Sequence, residues 1–190
     1  MFVFGVASRP TSFGGLERKR PALETLGYSR TSKRWATKMR WPLTLYTKEL
    51  PHGAAGSACG PLIRIRKGYE SDDGLYQHEL RHVKQWLFVG VTVGALIASV
   101  ARLLELESAS LLVQLAAWAF GVLAALSGHE LLYACSKVYR AWSEADAYRT
   151  QMRFPYRTGL YLSPKDAAAR LAGRRYRLGI TIERARELLR

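Results

Sequence analysis

Cysteine is nearly absent. Cys59 and Cys135 are too few for a disulfide framework, and no Cys-x-x-Cys pair is present that would mark a thiolate zinc site. Both read as small apolar side chains in a reduced chain. Acidic residues are also scarce, 15 Asp and Glu against 29 Lys and Arg, for a net charge of +14. The imbalance sits at the ends: residues 1–50 hold 10 basic and 3 acidic side chains, residues 151–190 hold the same numbers, and the stretch between them is balanced. That is not the single basic face of a compact DNA-binding domain, and no nucleic-acid motif is present. Basic termini can still hold an anionic partner, whether phosphate or anionic lipid. Arg170, Arg174, Arg175 and Arg177 are read first as a solvated face. No Gly-x-y period or long repeat points to a fibre or solenoid, and 48% hydrophobic residues exclude wholesale disorder.

Residues 1–42 lack any sustained helical or strand period, being interrupted by Pro10, Gly14-Gly15, Pro21 and the clusters Arg18-Lys19-Arg20 and Lys33-Arg34. They predict a basic extended arm, without the uninterrupted apolar core of a secretory signal, although Arg and Ser with few acids also fit a transit peptide. Residues 43–158 predict the folded core, and residues 159–190 a basic helical segment. In the core, the pieces 43–46 and 62–65 are strand-like, and Ile63-Arg64-Ile65-Arg66 alternates with period two. Pro51 to Gly56 is rich in turn residues. A helix then begins near Leu75 after the caps Asp72 and Asp73.

Long uncharged runs are what the sequence has in excess. Residues 86–101 and 108–128 carry no charge and are joined by Glu105-Leu106-Glu107. Each approaches the ~20 residues needed to cross a ~30 Å hydrocarbon layer. Both are apolar around their circumference, so a chain this small must cover them with membrane lipid or with a partner subunit. Gly90 and Gly94 have the spacing that lets two helix backbones approach in lipid. Residues 130–152 are again helical in pattern. Ser163-Pro164 reads as N-cap and first position of a helix to about Arg175, and Thr181 caps a last short one. The fold class is mainly α with a small β element: a helix from about Leu75 that runs into an apolar helical hairpin, 86–128.

The motif with chemistry in it is His78-Glu79-Leu80-Arg81-His82. On a helix, histidines four apart project from one face and can share a Zn²⁺, with Glu79 beside them to polarise a water. A catalytic zinc needs three protein ligands and one open position. Past the hairpin, His129, Glu130, Cys135, Glu144 and Asp146 remain open as the third ligand. Glu144 reaches the metal only if the helix that carries it bends or crosses. Asp146 is expected to accept a hydrogen bond from the outer nitrogen of a ligand histidine. Tyr139, Tyr148 and Tyr156 are possible oxyanion donors.

The stretch from His78 to Gln85 resembles the active-site helix of the zincin metallopeptidases of gluzincin type. Arg140-Ala141-Trp142-Ser143-Glu144-Ala145-Asp146-Ala147-Tyr148 is similar to the glutamate helix of that group. The apolar pair between the two motifs is similar to the membrane peptidases of the HtpX and Ste24 kind. Those place the ligand Glu three residues before Ala-Asp, where this chain has Trp142, so the resemblance implies Glu144 as the third ligand. It further implies Zn²⁺ as cofactor, a protein or peptide substrate, Glu79 as the catalytic base, and membrane association. Residues 63–66 could hold an extended substrate as an added edge strand. The alternative is a structural or assembly protein, a virion or membrane-complex component whose basic arms bind partners.

Overall fold

The computed structural model describes residues 41–190 apart from 51 and 52. The arm expected over 1–42 lies outside these residues except for its last two. The described chain is mainly helical with one small sheet. Its elements are β1 (Leu43–Thr47), β2 (Gly56–Cys59), β3 (Leu62–Arg66), α1 (Asp73–Leu103), α2 (Leu111–Cys135), α3 (Lys137–Gln151), α4 (Pro164–Leu171) and α5 (Ile182–Leu188). Single 3-10 turns, Leu106–Ser108 and Arg174–Tyr176, precede α2 and α5.

β3 is the central strand, parallel to β1 and antiparallel to β2. Its alternation does what period two requires: Ile63 and Ile65 are buried in one cluster with Leu75 and Val83 of α1, and the arginines take the other face. Residues 63–66 are therefore paired on both sides and cannot receive a substrate strand, which corrects that expectation. β2 is made of Gly, Ser, Ala and Cys and shows no hydrophobic alternation. Gly60, at φ 55°, supplies the positive φ of the two-residue connection that folds it back on β3.

Asp72 caps α1 by accepting from the Leu75 N–H at 2.8 Å. The first turns of α1 pack between the sheet and α3. Beyond Trp86 the helix continues as one arm of the hairpin, with α2 as the other. The two helices approach closely at glycines: a Cβ on Gly90 would stand 3.0 Å from the Ala125 carbonyl, and one on Gly121 would stand 3.1 Å from Ile97 Cγ2. Trp86 Nε1 donates to the Leu126 carbonyl at 2.8 Å. The outward faces are apolar and bare, with Phe88 and Trp118 each 68% exposed. Both helices are long and apolar enough to cross a membrane.

The helical run expected over 130–152 is two helices, and the division positions the site. Ser136 leaves the helical conformation (φ −112°, ψ 110°) and caps α3 by accepting from the Tyr139 N–H. Arg140 braces the corner from inside. Its Nε donates to the Tyr133 carbonyl at 2.8 Å and its Nη2 to the Ala134 carbonyl at 2.7 Å, which satisfies the last carbonyls of α2. Ser163 and Thr181 cap α4 and α5 as expected, although α4 stops at Leu171. Both helices join Ala141, Ala145 and Tyr148 of α3 in one buried cluster, so the C-terminal segment forms the back wall of the glutamate helix.

Candidate metal centre

His78 and His82 stand one turn apart on the buried face of α1, with their Nε2 atoms 3.3 Å from each other. From α3, Glu144 brings Oε2 to 3.5 Å from His78 Nε2 and Oε1 to 3.6 Å from His82 Nε2. Ligand atoms about 2.0–2.1 Å from a tetrahedral ion lie about 3.3–3.4 Å apart. The three groups thus stand close to ligand spacing, and together they could hold a metal ion. One further observation fits a cation: Glu144 Oε2 is buried without a hydrogen-bond partner.

The lone pair on His82 Nε2 follows from a chain of obligatory donors and acceptors. Arg81 Nε donates to Asp146 Oδ2 at 2.5 Å, and the Gln85 amide nitrogen donates to the same oxygen at 2.9 Å. A carboxylate only accepts, so the amide must turn its NH₂ toward Asp146 and its carbonyl toward His82. Gln85 Oε1 then takes the Ser143 hydroxyl proton (2.6 Å) and the proton on His82 Nδ1 (3.1 Å), and Nε2 is left bare. Asp146 therefore acts one link farther from the metal position than expected, with Gln85 as the direct partner of the imidazole. Burial would raise the Asp146 pKa, but Arg81 and Gln85 outweigh it and hold the group below the ordinary carboxylate value. Because this relay fixes ring orientation and tautomer, Gln85→Met is expected to weaken metal affinity by about 10–100-fold without unfolding the chain. Competition against a chromophoric chelator measures it, and unchanged affinity would remove Gln85 from the relay.

Glu144 is held as an anion. Burial raises its pKa, yet the imidazoles of His82 and His78 and a hydrogen bond donated by the Tyr133 hydroxyl bring it down to about 2. Glu79 is driven the opposite way. It is buried at the same site, and burial together with the negative charge of Glu144 pushes its pKa well above the usual range, against the pull of Arg175. Its Oε1 has no hydrogen-bond partner. Gly56 of β2 makes room for it, since a Cβ there would stand 2.7 Å from that oxygen.

The other candidates lie elsewhere. His129 is buried nearby, its ring centroid 6.5 Å from that of His82, but its Nδ1 pairs with the Tyr139 hydroxyl at 2.7 Å. Glu130 accepts from the Gly60 N–H at 3.3 Å. Cys135 is exposed and not buried, and Cys59 is partly buried. Tyr148 packs edge-on against His78 while its hydroxyl pairs with that of Tyr176, so it is committed to the wall. The tyrosine that does reach the cluster is Tyr133. Sequence reasoning missed it, together with Gln85, Ser143 and Gly56. Only Gln85, three residues past His82 on the same helix, carried a positional signal. Arg175 is more than a solvated charge, because it donates to the Gly53 carbonyl at 3.0 Å beside β2.

No family model, curated protein or solved structure matches the chain.

Proposed function

We propose that the protein is a zinc-dependent peptidase of gluzincin type, anchored in a membrane by the α1–α2 hairpin. The observation that carries this reading is the convergence of His78, His82 and Glu144 with Glu79 buried beside them, unpaired and high in proton affinity. Two imidazoles and one carboxylate are a donor set that zinc takes in catalytic sites, leaving a position open. When bound there, the ion would supply Lewis acidity toward a carbonyl oxygen and lower the pKa of water. His78, His82 and Glu144 would hold it, with Tyr133 orienting Glu144 and Gln85 orienting His82. Glu79 would take a proton from water and return it to the leaving amine, a role suited to a carboxyl with raised pKa.

β2 supports a peptide as substrate. The Arg66 N–H donates to the Ala55 carbonyl at 2.8 Å. Antiparallel pairing alternates along the strand, so Gly56 and Ala58 turn their amide groups away from β3. An extended chain paired on that side would run past Glu79, which abuts Gly56. This transfers the edge-strand role from residues 63–66 to β2.

The test is metal content coupled to hydrolysis. Protein purified in detergent should hold about one zinc per chain and should cleave an unfolded protein such as casein. A chelator should abolish the cleavage and added zinc restore it. Absence of both zinc and chelator-sensitive cleavage would refute the reading.

The hairpin carries its own expectation. With both helices apolar on their outer faces, the chain should stay with the membrane fraction through a high-salt or carbonate wash and leave it only with detergent. A stable monomer in detergent-free buffer would overturn the membrane anchor and leave the metal site standing.

A further inference from the structure

The apolar surface does not end where the hairpin ends. On the last turns of α2, Leu131 and Leu132 are exposed, and across the corner at Ser136 the first turns of α3 expose Val138 (82%) and Trp142 (44%). Val138 and Trp142 are four residues apart and share one face of α3. Glu144, buried, lies on the far side of the helix from that pair, and the buried Ala141 and Ala145 flank the pair and pack in the C-terminal cluster.

These turns lie at the foot of the hairpin. The Tyr139 hydroxyl meets His129 Nδ1 at 2.7 Å, and His129 directly follows the uncharged run 108–128. Arg140 ties the same turn to the end of α2. Lys84, two residues before the uncharged run of α1, and Lys137, the first residue of α3, are both exposed. Past Trp142 the apolar exposure stops, and Asp146, paired with Arg81, takes over. An apolar patch one to two turns deep, carrying a Trp, flanked by lysines and bounded by an ion pair, has the profile of a bilayer interface. A contact with a second protein surface would be depleted of lysine instead.

We infer that the first two turns of α3 lie in the headgroup layer of the leaflet, with Val138 and Trp142 inserted and Lys84 and Lys137 against lipid phosphates. This rests on the membrane reading of the hairpin. Its consequence is that the helix carrying Glu144 is seated on the bilayer by the face opposite that carboxylate, so the metal centre is held at the membrane surface.

Single-tryptophan variants test it in vesicles of phosphatidylcholine and phosphatidylglycerol that contain lipids brominated either near the carbonyl or deep in the acyl chain. With only Trp142 retained, the shallow bromines should quench more strongly. With only Trp118 retained, in the middle of the uncharged run, the deep bromines should. Trp142 open to aqueous acrylamide and untouched by both lipids, while Trp118 is quenched, would overturn the inference and leave the membrane anchor intact. Trp142 shielded from lipid and acrylamide alike in a dimeric protein would replace lipid with a second copy. If Trp118 is not quenched either, the membrane reading itself falls. Should the tryptophan replacements fail to fold, Val138→Cys in a chain with Cys59→Ala and Cys135→Ala gives a second measurement. A nitroxide there should relax more with oxygen than with a water-soluble nickel chelate, and the reverse order would overturn the inference.

Discussion

Glu144→Ala should lower zinc affinity by about 10²–10³-fold, whereas His129→Ala should leave it within a small factor. The magnitude follows from roughly 10–16 kcal/mol for a four-ligand zinc site, or about 2.5–4 kcal/mol for each ligand. The direction follows from geometry. Glu144 places one oxygen 3.5 Å from His78 Nε2 and the other 3.6 Å from His82 Nε2, while His129 does not belong to the group whose ligand atoms converge. Loss of Glu144 also removes the anion that, among the described residues, faces both imidazoles. His82→Ala should cost a similar factor for the same reason. Because alanine at position 144 also removes the carboxylate to which the buried Tyr133 hydroxyl donates, Glu144→Gln is the cleaner variant. It keeps an acceptor for Tyr133 and loses only the charge and the ligand oxygen. A thermal melt near the parent's, combined with weak zinc binding in a chelator competition, is the expected pair of results. Equal losses in the His129 and Glu144 variants would contradict the three-ligand arrangement described above.

The two histidines were legible because helical period alone puts positions 78 and 82 on one face, and nothing in the tertiary structure has to intervene. The uncharged runs of the hairpin were legible for a similar reason, as was the alternation of β3. Glu144 was different. Spacing left five candidates open, and the choice among them rested on resemblance. What brings Glu144 to the histidines is a corner, made by Ser136 leaving the helix and by Arg140 reaching back to the carbonyls of Tyr133 and Ala134. A serine between two helical stretches reads equally well as helix interior or as cap. The arginine that decides the matter does so through contacts that no period encodes. β2 was invisible because Gly, Ser, Ala and Cys carry no alternation, yet its smallness is what lets the Glu79 carboxylate sit against it. Asp146 is the partner expected for the histidine because metal-bound imidazoles usually donate their outer N–H to such a group. Gln85 stands in between because a carboxamide can accept from the imidazole and donate to the carboxylate at once. An acid in its place would have faced Asp146 with a like charge.

Glu79→Gln should separate binding from chemistry. Glu79 Oε1 is unpaired and turned to Gly56, and the group that could hold a metal ion does not include it, so the variant should retain zinc at the parent's stoichiometry. The amide is nearly isosteric, and it also relieves a buried carboxyl whose ionisation is opposed by burial and by Glu144, so folding stability should hold or rise slightly. Hydrolysis is another matter. An amide nitrogen cannot take a proton from water, and general-base assistance is worth about 10²–10⁴-fold, so chelator-sensitive cleavage should fall by at least the lower figure. Gly56→Ala provides an independent approach to the same carboxylate from the other side. Its methyl would stand 2.7 Å from Glu79 Oε1, so it should displace the carboxylate and depress turnover with all three ligand residues untouched. Full activity in both variants, with zinc bound, would show that the carboxyl beside β2 takes no part in the reaction. The cluster of His78, His82 and Glu144 would then be a metal site without a peptidase built around it.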